Sequence, residues 1–195
     1  MTSSRLILAS SSPRRQKLLR EAGYEFTVVP SNVDESAVPA TLGPGDLAEY
    51  LGRLKAQTVA AQFPQDVVLG ADTVVEFAGH ILGKPADAAD AARMLRLLSG
   101  TTHSVITGIA VFRAGDGLSL HARVLSPVQM RKLMEREIED YVAGGQWQGK
   151  AGGYGIQDPD PFVVSVSGCH TNIVGLPMTT TSQLLEQAGI RPKTR

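Results

Sequence analysis

Two adjacent arginines, Arg14 and Arg15, follow the turn Ser10-Ser-Ser-Pro13, itself directly after the apolar run Leu6 to Ala9. The run reads as a buried strand. Ser12 suits a helix N-cap, and Pro13 suits the first helical position, where its missing N–H costs nothing. Strand, serine-rich turn and helix start together aim free N–H groups and the positive end of a helix dipole at an anion. Two arginines oppose that dipole unless something negative lies between them, and a phosphate would resolve the conflict. An isolated Ser-Pro-Arg-Arg reads as a solvated helix start; its place after a strand favours the phosphate.

Asp72 interrupts the otherwise apolar stretch Val67–Phe77. A carboxylate buried without a partner is costly, so a plain ion pair with a lysine or arginine would explain it. Gly70 and Ala71 leave room for such a group to come close. Asp34 and Glu35 add two carboxylates on a polar loop, Ser31–Ser36, and Lys55 and Lys84 add two ammonium groups on separate segments. With Arg14 they make both halves of a phosphate site: oxygen ligands for a Mg²⁺-type ion and cations for a polyphosphate. Gln157 closes the glycine-rich loop Gly149–Gln157, and its amide, donor and acceptor at once, suits a nucleobase edge. That loop lacks the Rossmann and P-loop fingerprints. His103, His170 and Cys169 lack zinc spacing, and no Ser-His-Asp set or G-x-S-x-G elbow supports acyl transfer.

The elements that must carry these groups alternate between strand and helix. After the first helix, stopped at Gly23, Phe26–Val29 reads as a strand ended by Pro30. Thr41–Gly45 is a linker, Asp46 a cap, and Leu47, Leu51, Leu54 and Thr58 mark a helix closed by Pro64. Val67–Phe77, the turn Ala78-Gly79-His80 and the return Ile81–Pro85 predict a hairpin. Asp87 or Asp90 begins a helix with Ala91, Met94, Leu95 and Leu98 inward. Thr102–Phe112 reads as a strand, and Leu118 to Met130 alternates cleanly, with Pro127 marking an edge or bulge. Ile138, Tyr141 and Val142 mark a helix ending at Gly144-Gly145. Phe162–Val166 reads as a strand, Asn172–Pro177 as an extended return, and Thr181 as the cap of a last helix ending at Gly189. The expected class is α/β with a mixed sheet.

Bulk properties narrow the partners. The 195 residues suffice for one domain with a substantial core. Lysine plus arginine equals aspartate plus glutamate, and only 5% of residues are aromatic, which argues against a nucleic-acid surface. One cysteine forms no internal disulfide, and no apolar run reaches signal-peptide or membrane-spanning length, so a cytoplasmic protein is expected.

Four segments in this order resemble the Maf family of nucleoside triphosphate pyrophosphatases: LILASSSPRRQKLL, VDES at 33–36, GADTVV followed by ILGKP, and KAGGYGIQ with VGLP. The resemblance runs from residue 5 to about residue 189. It implies one Maf/ITPase-like domain over residues 1–195, an elongated mixed β-sheet flanked by helices, with two lobes around a cleft, in a homodimer. It implies hydrolysis of a triphosphate to monophosphate and pyrophosphate with Mg²⁺ or Mn²⁺. Asp72 is similar to the family's catalytic acceptor, and Glu35, Lys55 and Lys84 to its metal- and phosphate-handling residues, with Glu35 and Asp72 toward the metal. Ser10, Ser12, Arg14 and Arg15 fall to the substrate, and Arg14, Thr73 and Gln157 to its selection. Asp-Thr with Tyr-Gly-Ile-Gln resembles the branch that prefers dTTP and UTP, with modified pyrimidine nucleotides as further candidates. A 7-methyl-GTP preference and a non-catalytic regulator of cell division are the alternatives. The family commonly continues Gly-Ile-Gln with glycine; here Asp158-Pro159-Asp160-Pro161 follows, stiffer and more acidic.

Overall fold

A computed structural model of the chain describes residues 4–35, 38, 41–159 and 162–193; Ser36, Asp160 and Pro161 of the segments named above lie outside them. In chain order the elements are β1 (Leu6–Leu8), α1 (Pro13–Glu21), β2 (Thr27–Val28), α2 (Pro44–Ala60), β3 (Val67–Phe77), β4 (His80–Leu82), α3 (Ala88–Leu98), β5 (Thr102–Arg113), β6 (Leu118–Met130), α4 (Glu135–Ala143), β7 (Val163–Val166), α5 (His170–Val174) and α6 (Met178–Gln187). A 3₁₀ turn, Ala151–Gly153, lies in the glycine-rich loop.

The strands form one mixed sheet in the order β2-β1-β3-β5-β6-β7, with β4 beside β3. β1 runs parallel to β2 and β3, and the remaining pairs are antiparallel. Alternation along the strands divides the core. Leu6, Leu8, Val67 and Leu69 pack with Leu19 of α1 and Leu184 and Leu185 of α6. Ile7 and Val68 meet Ala56, Val59 and Ala60 of α2 on the other face. Beyond them Val75, Val105 and Val128 pack against Met94, Leu95 and Leu98 of α3 and Ile138 of α4.

β3 pairs with β1 only through Val67–Leu69 and with β4 only through Val75–Phe77. On that side Gly70 to Val74 have no strand neighbour among the described residues. The sheet therefore has a notch at the carboxyl end of β1, the kind of position where open α/β sheets bind ligands. Side chains from both faces reach it.

The face of α2 that meets the sheet is made of small residues. Its buried positions include Ala48, Gly52, Ala56 and Ala60, with Leu51 and Val59, whereas Leu47, Leu54 and Thr58 of the expected stripe are only partly buried. A Cβ on Gly108 would lie 2.3 Å from the Ala48 carbonyl oxygen, and one on Gly70 2.4 Å from that of Gly52. Helix and sheet thus touch backbone to backbone.

Several expectations hold in detail. Ser12 caps α1 with Pro13 at its start, and Asp87 caps α3, accepting from the Asp90 amide at 2.8 Å. Ala91, Met94, Leu95 and Leu98 are the buried face of α3. Ala78 and Gly79, with φ of 50° and 80°, make the tight two-residue hairpin turn. Besides the α2 stripe, three expectations fail. Gly43, not Asp46, precedes α2, because Pro44 takes the first helical position; Asp46 instead pairs with Arg123 at 2.8 Å. Asn172–Val174 is helical rather than extended, ending at Gly175 with φ 113°. Thr181 is buried inside α6, whose first amide, on Met178, is capped by the Thr171 hydroxyl at 2.9 Å. Pro127 sits just before the irregularity at Gln129/Met130, its carbonyl accepting from Ser167 where pairing with β7 runs out. No helix among the described residues is long and apolar enough to cross a membrane.

Candidate active site

The notch opens into a cavity of about 760 Å³, large enough for a nucleotide. All ten candidate residues line it: Ser10, Ser12, Arg14, Arg15, Glu35, Lys55, Asp72, Thr73, Lys84 and Gln157. Asp34 is exposed and is not among the lining residues.

Asp72 and Thr73 are consecutive on β3 and so face opposite sides of the sheet. Asp72 faces α2, where the Lys55 ammonium lies 2.5 Å from its Oδ1. The same ammonium lies 2.6 Å from Oε1 of Glu35. Lys55 is 7% exposed and Asp72 8%, so the ion pair offered as the plain explanation for a strand-interior acid is present. It does more than neutralise, because it gathers a second, half-exposed carboxylate from a distant loop. Burial alone would raise the Glu35 carboxyl; the Lys55 hydrogen bond and charge, with Lys84 and Arg15 farther off, outweigh it and hold the group below the ordinary range. Oδ2 of Asp72 receives no hydrogen bond from the described residues, and Asp72 is among the residues that line the cavity.

Thr73 faces the other way. Its hydroxyl is 2.9 Å from that of Thr107, opposite it on β5, and accepts from Arg15 at 3.2 Å. Arg15 also donates to Ser10 Oγ at 3.2 Å and to the Gly175 carbonyl at 2.8 Å. All three acceptors are neutral. Burial lowers the Arg15 pKa, an effect offset by the charges of Asp72 and Glu35 and reinforced by Arg14. Asn172, wholly buried, donates to the Val105 carbonyl and Ser126 Oγ, both at 3.0 Å, and so anchors α5 where Gly175 can receive Arg15.

The third wall is the glycine-rich loop. Arg14 donates to the Gly149 carbonyl at 2.9 Å, and Lys150, Tyr154 and Gln157 line the cavity from this side. Thr107, Lys150 and Tyr154 were not singled out from sequence as site residues. Thr107 left one faint sign, a hydroxyl inside an apolar strand; Lys150 and Tyr154 lay within the KAGGYGIQ segment.

Tyr154 is held from behind by His103, whose Nε2 is 2.6 Å from the phenol oxygen in an edge-on contact. Burial pushes the His103 imidazole down to about 4. In the unfolded chain the value is about 6.5, so between the two the unfolded state binds a proton that the native state does not. Stability therefore rises with pH through this window and is lost as pH falls. The expected loss between neutral pH and pH 4 from this one group is on the order of 3 kcal/mol. His103→Gln should flatten the acid side of a Tm-against-pH curve; an unchanged slope would assign that limb to other groups.

Among the described residues five cationic side chains line the cavity, Arg14, Arg15, Lys55, Lys84 and Lys150, against three carboxylates, Glu35, Asp72 and Asp158. Among the described residues no three histidine, cysteine or acidic side chains cluster as a ready-made metal cage. Asp72 and Glu35 converge on one ammonium, and two carboxylates completed by waters and phosphate oxygens suit a Mg²⁺-type ion.

Fold and site thus define an α/β protein with a cationic, acid-bearing cavity in a sheet notch. The chain belongs to the Maf-like protein family, whose model matches residues 5–188. Among its relatives, proteins named dTTP/UTP pyrophosphatase are 46% identical over 185 residues in Symbiobacterium thermophilum, covering 94% of each chain. One from Geobacter sulfurreducens is 46% identical over 97% of this chain and 99% of its own. One from Hyphomonas neptunium is 48% identical over 97% and 98%. Among solved structures, a nucleoside-triphosphatase / dITP/XTP pyrophosphatase from Mycobacterium abscessus superposes with a TM-score of 0.43 at 15% identity, covering 66% of this chain and 75% of that one.

Proposed function

We propose that the chain is a nucleoside triphosphate pyrophosphatase acting on dTTP and UTP, with modified pyrimidine triphosphates as further substrates. The observation that carries this reading is the excess of cations, with a paired Asp72 and Glu35, in one nucleotide-sized cavity. The relatives' name, dTTP/UTP pyrophosphatase, supports this reaction and these bases.

In this reading Asp72 orients a water and takes up its proton through Oδ2, while Lys55 fixes the carboxylate through Oδ1. The water attacks the α-phosphorus, the bond to the bridging oxygen breaks, and pyrophosphate leaves. Arg15, Lys84 and the Ser10–Ser12 turn neutralise the charge that accumulates on the leaving group, since positioning and charge stabilisation dominate such transfers. Glu35 and Asp72 would hold Mg²⁺ or Mn²⁺, which would polarise the phosphate oxygens. Gln157 discriminates bases by hydrogen bonds that a mismatched edge leaves unmade, and Arg14 steadies the loop that carries it.

The same reading takes the chain as one domain with a lobe on each side of the cavity, acting as a cytoplasmic homodimer. Light scattering of the purified chain tests the dimer.

The main test is pyrophosphate release over a nucleotide panel. Turnover of dTTP and UTP should exceed that of CTP and 7-methyl-GTP and fall at least a hundredfold on chelation with EDTA, returning with Mg²⁺ or Mn²⁺. Binding without turnover would turn the reading toward a nucleotide-responsive regulator. Preference for 7-methyl-GTP would keep the reaction and overturn the base.

A further inference from the structure

Residues 149–158 form much of one wall of the cavity, yet little in their own sequence holds them. Gly149, Gly152 and Gly153 all have positive φ, at 68°, 71° and 75°, conformations that only glycine adopts without strain. A segment built that way needs external pins. Arg14 supplies one at Gly149, and the Gly83 carbonyl another, accepting from the Gly152 amide at 3.0 Å.

Beside the His103 contact to Tyr154, a further pin is the Asp158 carboxylate. Its Oδ1 pairs with the Lys150 ammonium, which closes the loop on itself. Its Oδ2 accepts from the Gly155 amide at 2.9 Å and from the Tyr141 hydroxyl of α4 at 2.6 Å. One carboxylate thus ties together both ends of the loop, its middle and the neighbouring helix. The Asp158 side chain is only 13% exposed and Lys150 15%, so this is no solvated surface pair. Burial, then the Asp158 bond and charge, push the Tyr141 phenol well above its ordinary value, so it stays a donor.

Two consequences meet at the cavity. Gln157 directly precedes Asp158, so the location of its amide depends on this carboxylate. Lys150 is also spoken for, which leaves Arg14, Arg15, Lys55 and Lys84 as the other cations lining the cavity. The added acid of the Asp158-Pro159 segment is therefore not loose negative charge at the mouth.

We infer that Asp158 is a positioning residue for base selection: by binding Lys150, Gly155 and Tyr141 it fixes the 149–158 wall so that Gln157 meets the pyrimidine edge and the triphosphate is directed to the Arg15 side. This rests on the nucleoside triphosphate reading above.

The test measures kcat and KM of the full-length protein and its Asp158→Ala and Asp158→Asn variants with dTTP, UTP and CTP. In Asp158→Ala, KM for dTTP should rise about tenfold and the preference for dTTP over CTP should fall by a similar factor, with kcat for dTTP kept within about threefold. Asp158→Asn keeps one acceptor oxygen for Tyr141 and Gly155 and should recover most of the preference. If Asp158→Ala does not fold, the Asn variant carries the test alone, with a small but measurable loss of preference expected. Unchanged preference and KM in an otherwise active protein would overturn the inference and leave the pyrophosphatase reading intact. A uniform fall in kcat on all nucleotides would overturn it too, since that is what mere loosening of the fold produces. If the unmodified protein hydrolyses none of the triphosphates, the functional reading itself has failed.

Discussion

Replacing Asp72 by asparagine should lower pyrophosphate release about a thousandfold, while affinity for the nucleotide changes only severalfold. Asparagine matches aspartate in size and still offers an oxygen to Lys55, but it cannot accept a proton from water. A thousandfold is about 4 kcal/mol in the barrier, within what a positioned acid or base contributes. The fold should survive because Lys55 keeps Glu35, 2.6 Å from its ammonium, as counterion. Lys55→Met is the informative companion. It leaves two carboxylates facing each other without their shared cation, so the Glu35 carboxyl should move up from its depressed value. Single-turnover rates, together with calorimetric affinity for a non-hydrolysable dTTP analogue, separate chemistry from binding. Near-normal turnover by Asp72→Asn would remove Asp72 from the chemistry.

Gly108→Ala should be the most damaging small substitution in the sheet. The added Cβ would lie 2.3 Å from the Ala48 oxygen and 2.4 Å from Glu49 Cα, backbone atoms of α2 that have no rotamer to move away. The helix must shift bodily, at a cost of about 3 kcal/mol, or about 10 °C in Tm for a chain of this size. Lys55 rides on that helix and Asp72 sits opposite Gly108 in the β3–β5 register, so the ammonium–carboxylate contact should lengthen and activity fall with stability. Gly83→Ala is the control: its added Cβ would meet nothing within 4 Å, and its Tm should stay within about 1 °C. A Gly108→Ala protein as stable as the parent would mean that α2 is not pressed against the sheet as described.

How far residues alone revealed this arrangement depended on whether the signal was local. The inward face of α3, the Ser12 and Asp87 caps and the Ala78-Gly79 turn were legible because capping, periodicity and turn geometry act within a few positions. Gly70 was legible as a place of close approach, but not the approaching group. The burial of α2 was misjudged because leucine spacing suggested one face, whereas contact with Gly108 and Gly70 favours the stripe of alanine and glycine. Thr181 looked like a cap because the true one, Thr171, lies seven residues before the amide it serves. The candidate cluster came from charged residues in apolar or glycine-rich surroundings together with the family resemblance. All ten line one cavity, but their pairings were not legible. Neither the double engagement of Lys55 nor the closure of the loop by Asp158 leaves a mark in spacing.

The notch in β3 has a consequence for how such a protein can change. Asp72 draws on the helix layer beneath the sheet and Thr73 on the layer above, so one opening is served by two independently packed supports. Substitutions that reshape the upper support can alter the opening without disturbing the Lys55–Asp72 pair below. A neighbouring strand filling the gap between β1 and β4 would seal the two layers from each other, and that freedom would vanish with the opening.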